Sequence, residues 1–429
     1  MNKKRIIVLL ALVFIVASTG MLIGRWSIGA EGEGYEDLKV FTEALTMVKK
    51  NYVEEVKTRD LVYGAIKGML SSLDPHSSFL NPDSYKEMQA ETRGEFGGIG
   101  IQIGVKEGML TVIAPIEDTP AYRAGIKAGD KIIKINNEAT REMSLHDAVS
   151  KMRGAPKTSV TIAILREGWK ETKDFTLVRE IIKIKSVKSK VLEDGIGYVK
   201  ISQFQEQTAA DLSAVMEKLT QEKISSLILD LRNNPGGLLN SAVSVTSQFL
   251  PPNKLVVYIK GRKGDRTEYN TSDDRPSCDV RMIVLVNEGS ASASEIVAGA
   301  LKDWDRAVIL GAKTFGKGSV QSVIPLSDGS GLRLTTAIYY TPKGTSIQAT
   351  GIVPDIIVKL EPKEKGKEHP VIREKDLERH LENNVEQEEP KEPEEMAPIE
   401  VEEKDDAQLQ RAIDLLKTWK VFEKLPKAS

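Results

Sequence analysis

The sequence has too few cysteines and histidines for a disulfide-bonded or metal-binding protein. Cys278 is the only cysteine among 429 residues, so packing must stabilise the fold even in an oxidising compartment. The four histidines are scattered along the chain, at His76, His146, His369 and His380. Such a set lacks the ligand spacing of a zinc site. We therefore predict no metal and no other cofactor.

A strong excess of either charge is also absent. The formal net charge is −2 and the isoelectric point is about 6.2, which excludes a global basic field that would recruit nucleic acid. Most of the acidic excess lies after residue 360, where few apolar residues and repeated prolines predict a disordered linker over Glu361 to Asp405. Residues 406–429 are predicted to form a helix that docks on its own domain or on a second subunit.

Long apolar runs are confined to the N-terminus. Three basic residues, Lys3 to Arg5, precede an uncharged run of 19 residues from Ile6 to Gly24. That length fits both a cleaved signal peptide and a retained membrane anchor over residues 1–30. The basic end stays in the cytoplasm in either case. We therefore expect an exported protein, periplasmic or membrane-anchored, whose main domains lie outside the cytoplasm.

Residues 35–93 are predicted to be mainly helical. Apolar residues recur at helical spacing over Tyr35 to Asn51 and again over Arg59 to Leu73. The second helix ends in the turn-rich sequence Asp-Pro-His-Ser-Ser. Its histidine, His76, is interpreted as a turn or buried hydrogen-bonding residue rather than as the base of a Ser-His-Asp triad.

Residues 94–180 change to short strands and glycine turns. The order RGEFGGIGIQIGV, AGIKAGDKIIKINN, a polar helix over Ser144 to Met152, and SVTIAILREG resembles a PDZ domain. Successive free N–H groups of a glycine loop in such a domain hold a terminal carboxylate, and the adjoining strand edge accepts the peptide as an added strand. That peptide-binding loop falls on Gly98, Ile99, Gly100 and Ile101.

Residues 181–360 repeat the pattern of strand, glycine turn and helix. The first unit is SLILDLRNNPGG with a helix from Leu238 to Leu250, and the second begins at Ile283. Two such units indicate an α/β layer with a largely parallel sheet. The later segments VIPL and GLRLTTAIYYT are predicted strands, and the second of them is expected to return onto this sheet.

The stretch from Ile283 to Gln321 carries the candidate chemistry. A serine at its strand-to-helix turn can expose a hydroxyl beside helix N-terminal N–H groups that stabilise an oxyanion. Lys317 lies between two glycines, and it can act as the base where burial lowers its pKa. Spacing alone leaves alternatives open, since Ser292-Ala-Ser-Glu295 also fits a capping box and most lysines are solvated surface residues.

Spacing alone also does not select among Ser290, Ser292 and Ser294. Two other signatures, the phosphate loop of nucleotide-binding proteins and the nucleophile elbow of α/β-hydrolases, fit the sequence poorly. GxxxxGK is followed by Gly318, where a phosphate loop requires Ser or Thr to hold magnesium. The GxSxG elbow of α/β-hydrolases does not occur in the sequence.

Four motifs in order, the PDZ pattern, NNPGG, NEGSASASEI and TFGKGSVQ, resemble the C-terminal processing (tail-specific) peptidases. The resemblance covers about Tyr35 to Lys359. It implies an α/β fold (α+β multidomain), with a crotonase/Clp-protease-like core, an inserted PDZ domain and flanking helices. Matching motif by motif, it implies a nucleophile, a general base, a lysine-orienting glutamine, oxyanion donors on backbone N–H groups, and a supporting aspartate. The nucleophile falls on Ser292, the general base on Lys317 and the lysine-orienting glutamine on Gln321. The oxyanion donors fall on the N–H groups of Ala293 and of Gly236 or Gly237, and the supporting aspartate falls on Asp303.

The resemblance implies a serine endopeptidase that recognises exported proteins by apolar C-terminal tails and cuts them with a Ser292–Lys317 dyad. Arg153, near the border of the PDZ region, is a candidate gate, with a solvated surface charge as its alternative. A homo-oligomer such as a dimer and an adaptor or activator protein are candidate partners. Two other classes remain as alternatives: a catalytically silent PDZ adaptor or holdase, and an acyl-CoA hydratase-like enzyme.

Overall fold

The structure is a computed structural model that describes residues 32–106, 108–141, 143–272, 279–359, 372–383 and 406–422. The N-terminal leader, Cys278 and most of the acidic linker predicted from the sequence lie outside these residues. Across the described ranges, every helix is too short or too polar to cross a membrane. The chain divides into two units, residues 1–71 and 72–429.

The first unit contains two helices among its described residues, α1 (Gly32–Asn51) and α2 (Thr58–Ser71). Both agree with the apolar spacing of the sequence. Large apolar side chains such as Leu38 and Phe41 are exposed on α1, and Leu70 on α2 is buried.

The second unit contains the remaining helices and the strands. Its described helices are α3 (Pro82–Arg93), α4 (Pro120–Arg123), α5 (Leu145–Met152), α6 (Thr208–Gln221), α7 (Leu239–Thr246), α8 (Ala293–Asp303) and α9 (Ala407–Phe422). Its described strands are β1 (Ser78–Leu80), β2 (Glu95–Gly98), β3 (Ile101–Lys106), β4 (Met109–Pro115), β5 (Lys131–Ile135), β6 (Glu138–Ala139), β7 (Ser159–Leu165), β8 (Lys173–Val178), β9 (Glu180–Lys183), β10 (Val187–Leu192), β11 (Ile196–Ile201), β12 (Ser226–Asp230), β13 (Leu255–Gly261), β14 (Arg266–Asn270), β15 (Arg281–Val286), β16 (Val308–Gly311), β17 (Ser319–Pro325), β18 (Gly331–Tyr340) and β19 (Ile356–Ile357).

A small β domain occupies the region whose sequence resembles a PDZ domain. Its sheet has the strand order β3-β4-β5-β7-β8, with β6 paired to β5, and the apolar core is built on residues such as Val112, Ile135 and Ile162. The predicted polar helix is α5, and the Ser144 side chain caps it by accepting the N–H of Asp147. Entry and exit strands β2 and β9 pair with each other, so an antiparallel ribbon joins this domain to the rest of the unit.

A six-stranded sheet, in the order β10-β11-β12-β15-β16-β19, forms the main layer. Every pair except β10 with β11 is parallel, as the repeated strand-turn-helix pattern predicts. Leu227 and Leu229 pack with helices α6, α7 and α8 on one face, whereas Ile228 packs with α9 on the other. A parallel sheet covered on both faces explains the continuous apolar runs of its strands. The α/β prediction is thus confirmed.

A second, five-stranded antiparallel sheet corrects one expectation. Strand β18 does not return onto the parallel sheet; it pairs with β1, β13 and β17. The cause is its hairpin with β17, whose long antiparallel register runs from Ser319 opposite Ile338 to Pro325 opposite Gly331. Much of β18 is only half-buried, which suits an antiparallel sheet with a solvated face.

The C-terminal part of the chain is tied to the parallel sheet. Leu409 and Leu416 of α9 are buried against it, so the helix docks on its own chain. Asp406, at the start of α9, pairs with Arg232 at 2.8 Å, and Arg232 also pairs with Asp230 at 2.7 Å. This buried cluster fastens α9 to the end of β12.

Residues 372–383 differ from the predicted disorder of Glu361 to Asp405. They include a short 3-10 turn, Glu374–Asp376, and both Arg373 and Glu374 are buried. Composition alone treats such charges as solvated, but these two have partners. Arg373 Nη1 donates to the Thr314 carbonyl, and the Glu374 carboxylate contacts His76 and Gln348.

Candidate active site

Three loops meet at one edge of the parallel sheet. Strands β12, β15 and β16 are adjacent and parallel, so their carboxyl ends lie at the same edge, the usual position of ligand sites in α/β sheets. The Asn-Asn-Pro-Gly-Gly turn follows β12, the serine turn follows β15, and the Lys317 loop follows β16. The topology therefore brings together three motifs that are far apart in the sequence.

The serine turn distinguishes its middle serine from the two that flank it. Ser290 and Ser294 are fully buried, and their hydroxyls donate to the backbone carbonyls of Leu231 and Asn234, each at 2.8 Å. Ser292 is only half-buried and has φ 54° and ψ −112°. A non-glycine residue with such angles stores strain of about 1–3 kcal/mol, a feature that clusters at functional sites.

Glu295 joins the serine turn to the Lys317 loop. One oxygen, Oε2, accepts the N–H of Ser292 at 2.8 Å and the N–H of Lys317 at 3.0 Å. The other oxygen accepts the Gly316 N–H at 2.8 Å and the Thr314 hydroxyl. Burial raises the pKa of Glu295 to about 7, while these hydrogen bonds act in the opposite direction. The capping glutamate of the sequence motif thus also holds the lysine.

Every backbone polar group of Gly316, Lys317 and Gly318 is hydrogen-bonded. Besides the two N–H groups held by Glu295, the Gly318 N–H donates to Gln348 Oε1 at 3.0 Å. The Gly316 carbonyl accepts from the Ala349 N–H at 2.8 Å. Tyr339 holds the other two carbonyls: its hydroxyl donates to Lys317 and its N–H donates to Gly318. The lysine is therefore mounted on a fixed backbone.

The Lys317 side chain is in an environment that favours its neutral form. Burial and the Arg333 charge lower the pKa of the Lys317 amine, and the carboxylates of Glu374, Glu295 and Asp74 oppose them. Within the described part of the chain, its amine forms no ion pair. A lysine amine with a lowered pKa can accept a proton nearer to neutral pH than a solvated one.

Tyr339 contacts both halves of the site. The tyrosine is buried, its hydroxyl donates to the Lys317 carbonyl, and the Ser292 side chain lies close enough to act on its pKa. Burial raises the pKa of Tyr339 well above its usual value, and the Glu295 charge adds to this effect. The phenol therefore stays protonated and remains a hydrogen-bond donor.

The glycine turn lies against Ser292, and its two glycines differ. A Cβ on Gly236 would fall 2.8 Å from the Ser292 Cβ and 2.9 Å from the Ala293 N. However, the Gly236 N–H already donates to Asn234 Oδ1 at 2.9 Å. Among the described residues, the N–H groups of Gly237 and Ala293 donate no hydrogen bond. These two N–H groups are thus the better candidates for oxyanion donors.

Two expected residues are hydrogen-bonded to groups other than Lys317 and Ser292. The Gln321 amide donates to Ser319 at 2.9 Å and to Thr335 at 3.4 Å rather than contacting Lys317. Strand β17 begins at Ser319, and its register shifts between Val320 and Gln321, so the expected shared face with Lys317 is lost. Asp303 ends helix α8, about 16 Å along the helix axis from Ser292, and accepts the Lys343 N–H.

The glycine loop of the PDZ-like domain lines a cavity of about 150 Å³. Gly98, Ile99, Gly100 and Ile101 form one wall, and side chains of α5, among them Val149, form another. In the described residues, the N–H groups of Ile99 and Gly100 donate no hydrogen bond. The groove thus offers free donors beside an apolar cavity, the combination that captures a peptide carboxylate.

Arg153 stands at the edge of this cavity. It lines the pocket, its guanidinium lies 4.7 Å from the centre of the Phe96 ring, and it pairs with Glu87 of α3. Arg153 is therefore a partnered side chain rather than a solvated surface charge, and it connects the cavity with a helix outside the domain.

Functional residues that the sequence did not reveal are Tyr339, Glu374, Gln348 and the wider role of Glu295. Tyr339, Gln348 and Glu374 follow Lys317 by tens of residues and reach the site only through β18 and the C-terminal segment. The capping-box motif was the one local signal, and it pointed to Glu295.

Three family models match parts of this chain. Residues 195–358 match peptidase family S41, residues 111–166 match a PDZ domain, and residues 26–84 match the N-terminal domain of the activating protease CtpB. A carboxy-terminal-processing protease of Bartonella bacilliformis is 42% identical over 96% of both chains. CtpB of Bacillus subtilis is 36% identical over 77% of this chain and 69% of its own.

Among solved structures, a photosystem II D1 C-terminal processing protease covers 76% of this chain and 94% of its own, with 31% identity and a TM-score of 0.45. The 42% identity to the Bartonella protease over nearly the whole chain, together with the family S41 match over residues 195–358, establishes the family. The chain belongs to the carboxy-terminal processing proteases of peptidase family S41, serine peptidases, and carries a PDZ domain.

Proposed function

We propose that the protein cuts polypeptides with Ser292 as nucleophile and Lys317 as general base, and that its PDZ domain selects substrates with apolar C-terminal tails. The observation that carries the dyad is Glu295 Oε2, which accepts the N–H groups of both Ser292 and Lys317. A single carboxylate oxygen fixes the two residues relative to each other, as a positioned nucleophile and base require.

The reaction begins when the Ser292 hydroxyl donates a hydrogen bond to Lys317 Nζ, which takes the proton as Oγ bonds to the scissile carbonyl carbon. The oxyanion is stabilised by the N–H groups of Ala293 and Gly237, each worth a few kcal/mol. The lysine then gives its proton to the leaving amine, the C–N bond breaks, and water hydrolyses the acyl-enzyme.

The experiment compares purified wild type with Ser292→Ala and Lys317→Ala on an unstructured substrate with an apolar C-terminal tail. Ser327→Ala and Lys343→Ala are matched controls, because both side chains are exposed. We expect cleavage by wild type and controls, and a loss of at least about 10³-fold in kcat for the two site variants. Cleavage that persists in both variants would eliminate the dyad. Tail binding without cleavage by wild type would indicate the adaptor instead.

Tail recognition is tested separately with three substrates that differ only in their ends. We expect an apolar tail with a free carboxylate to give a lower KM than an amidated or a charged tail. The free N–H groups of Ile99 and Gly100 and the apolar cavity beside them support this order. Equal KM values for the three substrates would remove the PDZ domain from substrate selection.

Arg153 is proposed to couple tail binding to the catalytic site. Its side chain contacts both the cavity and Glu87 of α3, so a bound tail competes for a residue that is tied to another element. Arg153→Ala should weaken the stimulation of cleavage by a separate tail peptide. Unchanged kinetics and an unchanged response to the peptide would dismiss the gate.

Export is proposed from the basic N-terminus and the apolar run that follows it. The protease domain then lies in the periplasm or is anchored at the outer face of the membrane. Cell fractionation with N-terminal sequencing of the mature protein distinguishes a cleaved signal peptide from a retained anchor. Full-length protein in the cytoplasmic fraction would contradict export.

Homo-oligomerisation is proposed as well and is measured by light scattering.

A further inference from the structure

The C-terminal segment 372–383 packs directly on the loop that carries Lys317. Arg373 Nη1 donates to the Thr314 carbonyl at 2.9 Å, and the Glu374 N–H donates to the Phe315 carbonyl at 3.3 Å. The Gln348 amide donates to the Leu381 carbonyl at 3.0 Å. This segment therefore forms part of the support of the lysine loop.

The Glu374 side chain links that segment to two side chains outside it. Its side chain is only 1% exposed. One oxygen lies 2.7 Å from His76 Nε2, and the other accepts the Gln348 amide at 3.0 Å. Gln348 Oε1 in turn accepts the Gly318 N–H, next to Lys317. A continuous chain of hydrogen bonds thus runs from His76 through Glu374 and Gln348 to the lysine loop.

Glu374 also acts on Lys317 through its charge. Burial opposes ionisation of the carboxyl, but hydrogen bonds from His76 and Gln348, with the charges of His76 and Lys317, hold the pKa of Glu374 below its usual value. Glu374 is therefore ionised at neutral pH. Around the Lys317 amine, Glu374, Glu295 and Asp74 act as negative charges and Arg333 as a positive one.

We propose that Glu374 is a positioning residue for Lys317: held by His76, it fixes the lysine loop through Gln348 and places a negative charge near the lysine amine. This inference deepens the proposed Ser292–Lys317 dyad and rests on it. It gives His76 and the C-terminal segment a role in catalysis without contact with the substrate.

The test is Glu374→Gln, which keeps the shape and an accepting oxygen but removes the charge. Because the Glu374 carboxylate raises the pKa of Lys317, its removal makes the amine neutral at lower pH. We expect the acidic limb of the kcat/KM profile to move down by about 0.5 pH unit or more. Glu378→Gln, an exposed residue of the same segment, should leave the limb in place. A purely structural role of Glu374 would not move the limb.

His76→Gln tests the other end of the chain of hydrogen bonds. It should lower kcat several-fold with little change in KM, because the substrate is not contacted. A rise in KM with unchanged kcat would instead show uniform loss of binding and would overturn the positioning role. If Glu374→Gln does not fold, the split between kcat and KM in His76→Gln still tests the positioning role.

A second readout does not depend on activity. In a Ser292→Ala background, the rate at which a small acylating reagent modifies Lys317 is followed against pH by peptide mass spectrometry. We expect the midpoint of this pH dependence to move to lower pH in Glu374→Gln and to stay unchanged in Glu378→Gln. An unchanged midpoint in folded Glu374→Gln would overturn the inference while leaving the dyad intact. Full activity of Lys317→Ala would overturn the dyad itself.

Discussion

The Lys317 loop and the PDZ glycine loop are both glycine-rich, yet their backbones are used in opposite ways. Every backbone polar group from Gly316 to Gly318 is hydrogen-bonded within the protein. By contrast, the N–H groups of Ile99 and Gly100 donate to none of the described residues. A catalytic base must be held still before the substrate arrives, whereas a carboxylate-binding loop must keep its donors free for the ligand.

Glycine serves two different needs in these two loops. In the lysine loop, a Cβ on Gly318 would fall 2.3 Å from the Gln348 N, so glycine permits the close approach that closes the hydrogen bonds. In the PDZ loop, Gly100 has a φ of 76°, so glycine permits the turn that leaves donors exposed.

The largest effect is expected when the Lys317 loop loses the Glu295 carboxylate that accepts its hydrogen bonds. In Glu295→Gln, an NH₂ group replaces one of the oxygens that accept from Ser292, Lys317 and Gly316, so at least one N–H meets another donor. Ser292 and Lys317 then move relative to each other, and a shift of about 1 Å costs roughly 10²-fold in kcat. Steady-state kinetics measures this, with the exposed Glu217→Gln as control. A kcat within threefold of wild type would show that Glu295 does not position the pair.

The same variant should change how stability depends on pH. The folded-state pKa of Glu295, about 7, lies above the ordinary glutamate value of 4.5, so between these values the native carboxyl keeps a proton that the unfolded chain has released. Wild-type stability therefore falls as pH rises through this window, by on the order of 1–3 kcal/mol. Urea unfolding at pH 5 and pH 7.5 should show this fall in wild type and not in Glu295→Gln. Equal falls in both proteins would assign the pH dependence to other groups.

The sequence predicted what depends on local pattern and missed what depends on distant partners. The strand, turn and helix around Ser292 follow from an apolar run and a cap, and the structure contains them as β15 and α8. The sequence did not show that the Gln321 amide donates to Ser319 and Thr335, because a register shift in β17 leaves no signal in the chain. The role of Gln321 beside Lys317 stays a prediction. Glu374 was missed because its charge, buried by His76 and Gln348, looks in the sequence like the solvated charges around it.

A smaller effect is expected from displacing the PDZ glycine loop, whose Ile99 and Gly100 N–H groups are free within the described chain. A Cβ on Gly100 would fall 2.2 Å from the Thr119 Cβ, so Gly100→Ala must displace the loop and its free donors. We expect affinity for an apolar tail peptide to fall about tenfold, near 1.4 kcal/mol, with kcat on a short tailless peptide unchanged. Gly108→Ala is the matched control, because its φ is similar at 72° but its Cβ would meet nothing within 4 Å. Tail affinity equal in the two variants would mean that the glycine loop does not bind the tail.

The smallest effect on activity is expected from replacing the two buried serines of the turn, Ser290 and Ser294, with alanine. These variants test whether the buried hydrogen bonds around Ser292 stabilise the fold without taking part in catalysis. Ser290 accepts the Asn287 N–H at 3.0 Å and donates to the Leu231 carbonyl, so Ser290→Ala leaves a buried donor without a partner, at about 1–3 kcal/mol of stability. Ser294→Ala should cost less, because the Asn234 carbonyl keeps the Ala291 N–H. Both variants should retain kcat within about threefold, unlike Ser292→Ala. Urea unfolding and kinetics measure both quantities, and loss of all cleavage in folded Ser290→Ala or Ser294→Ala would move the nucleophile away from Ser292.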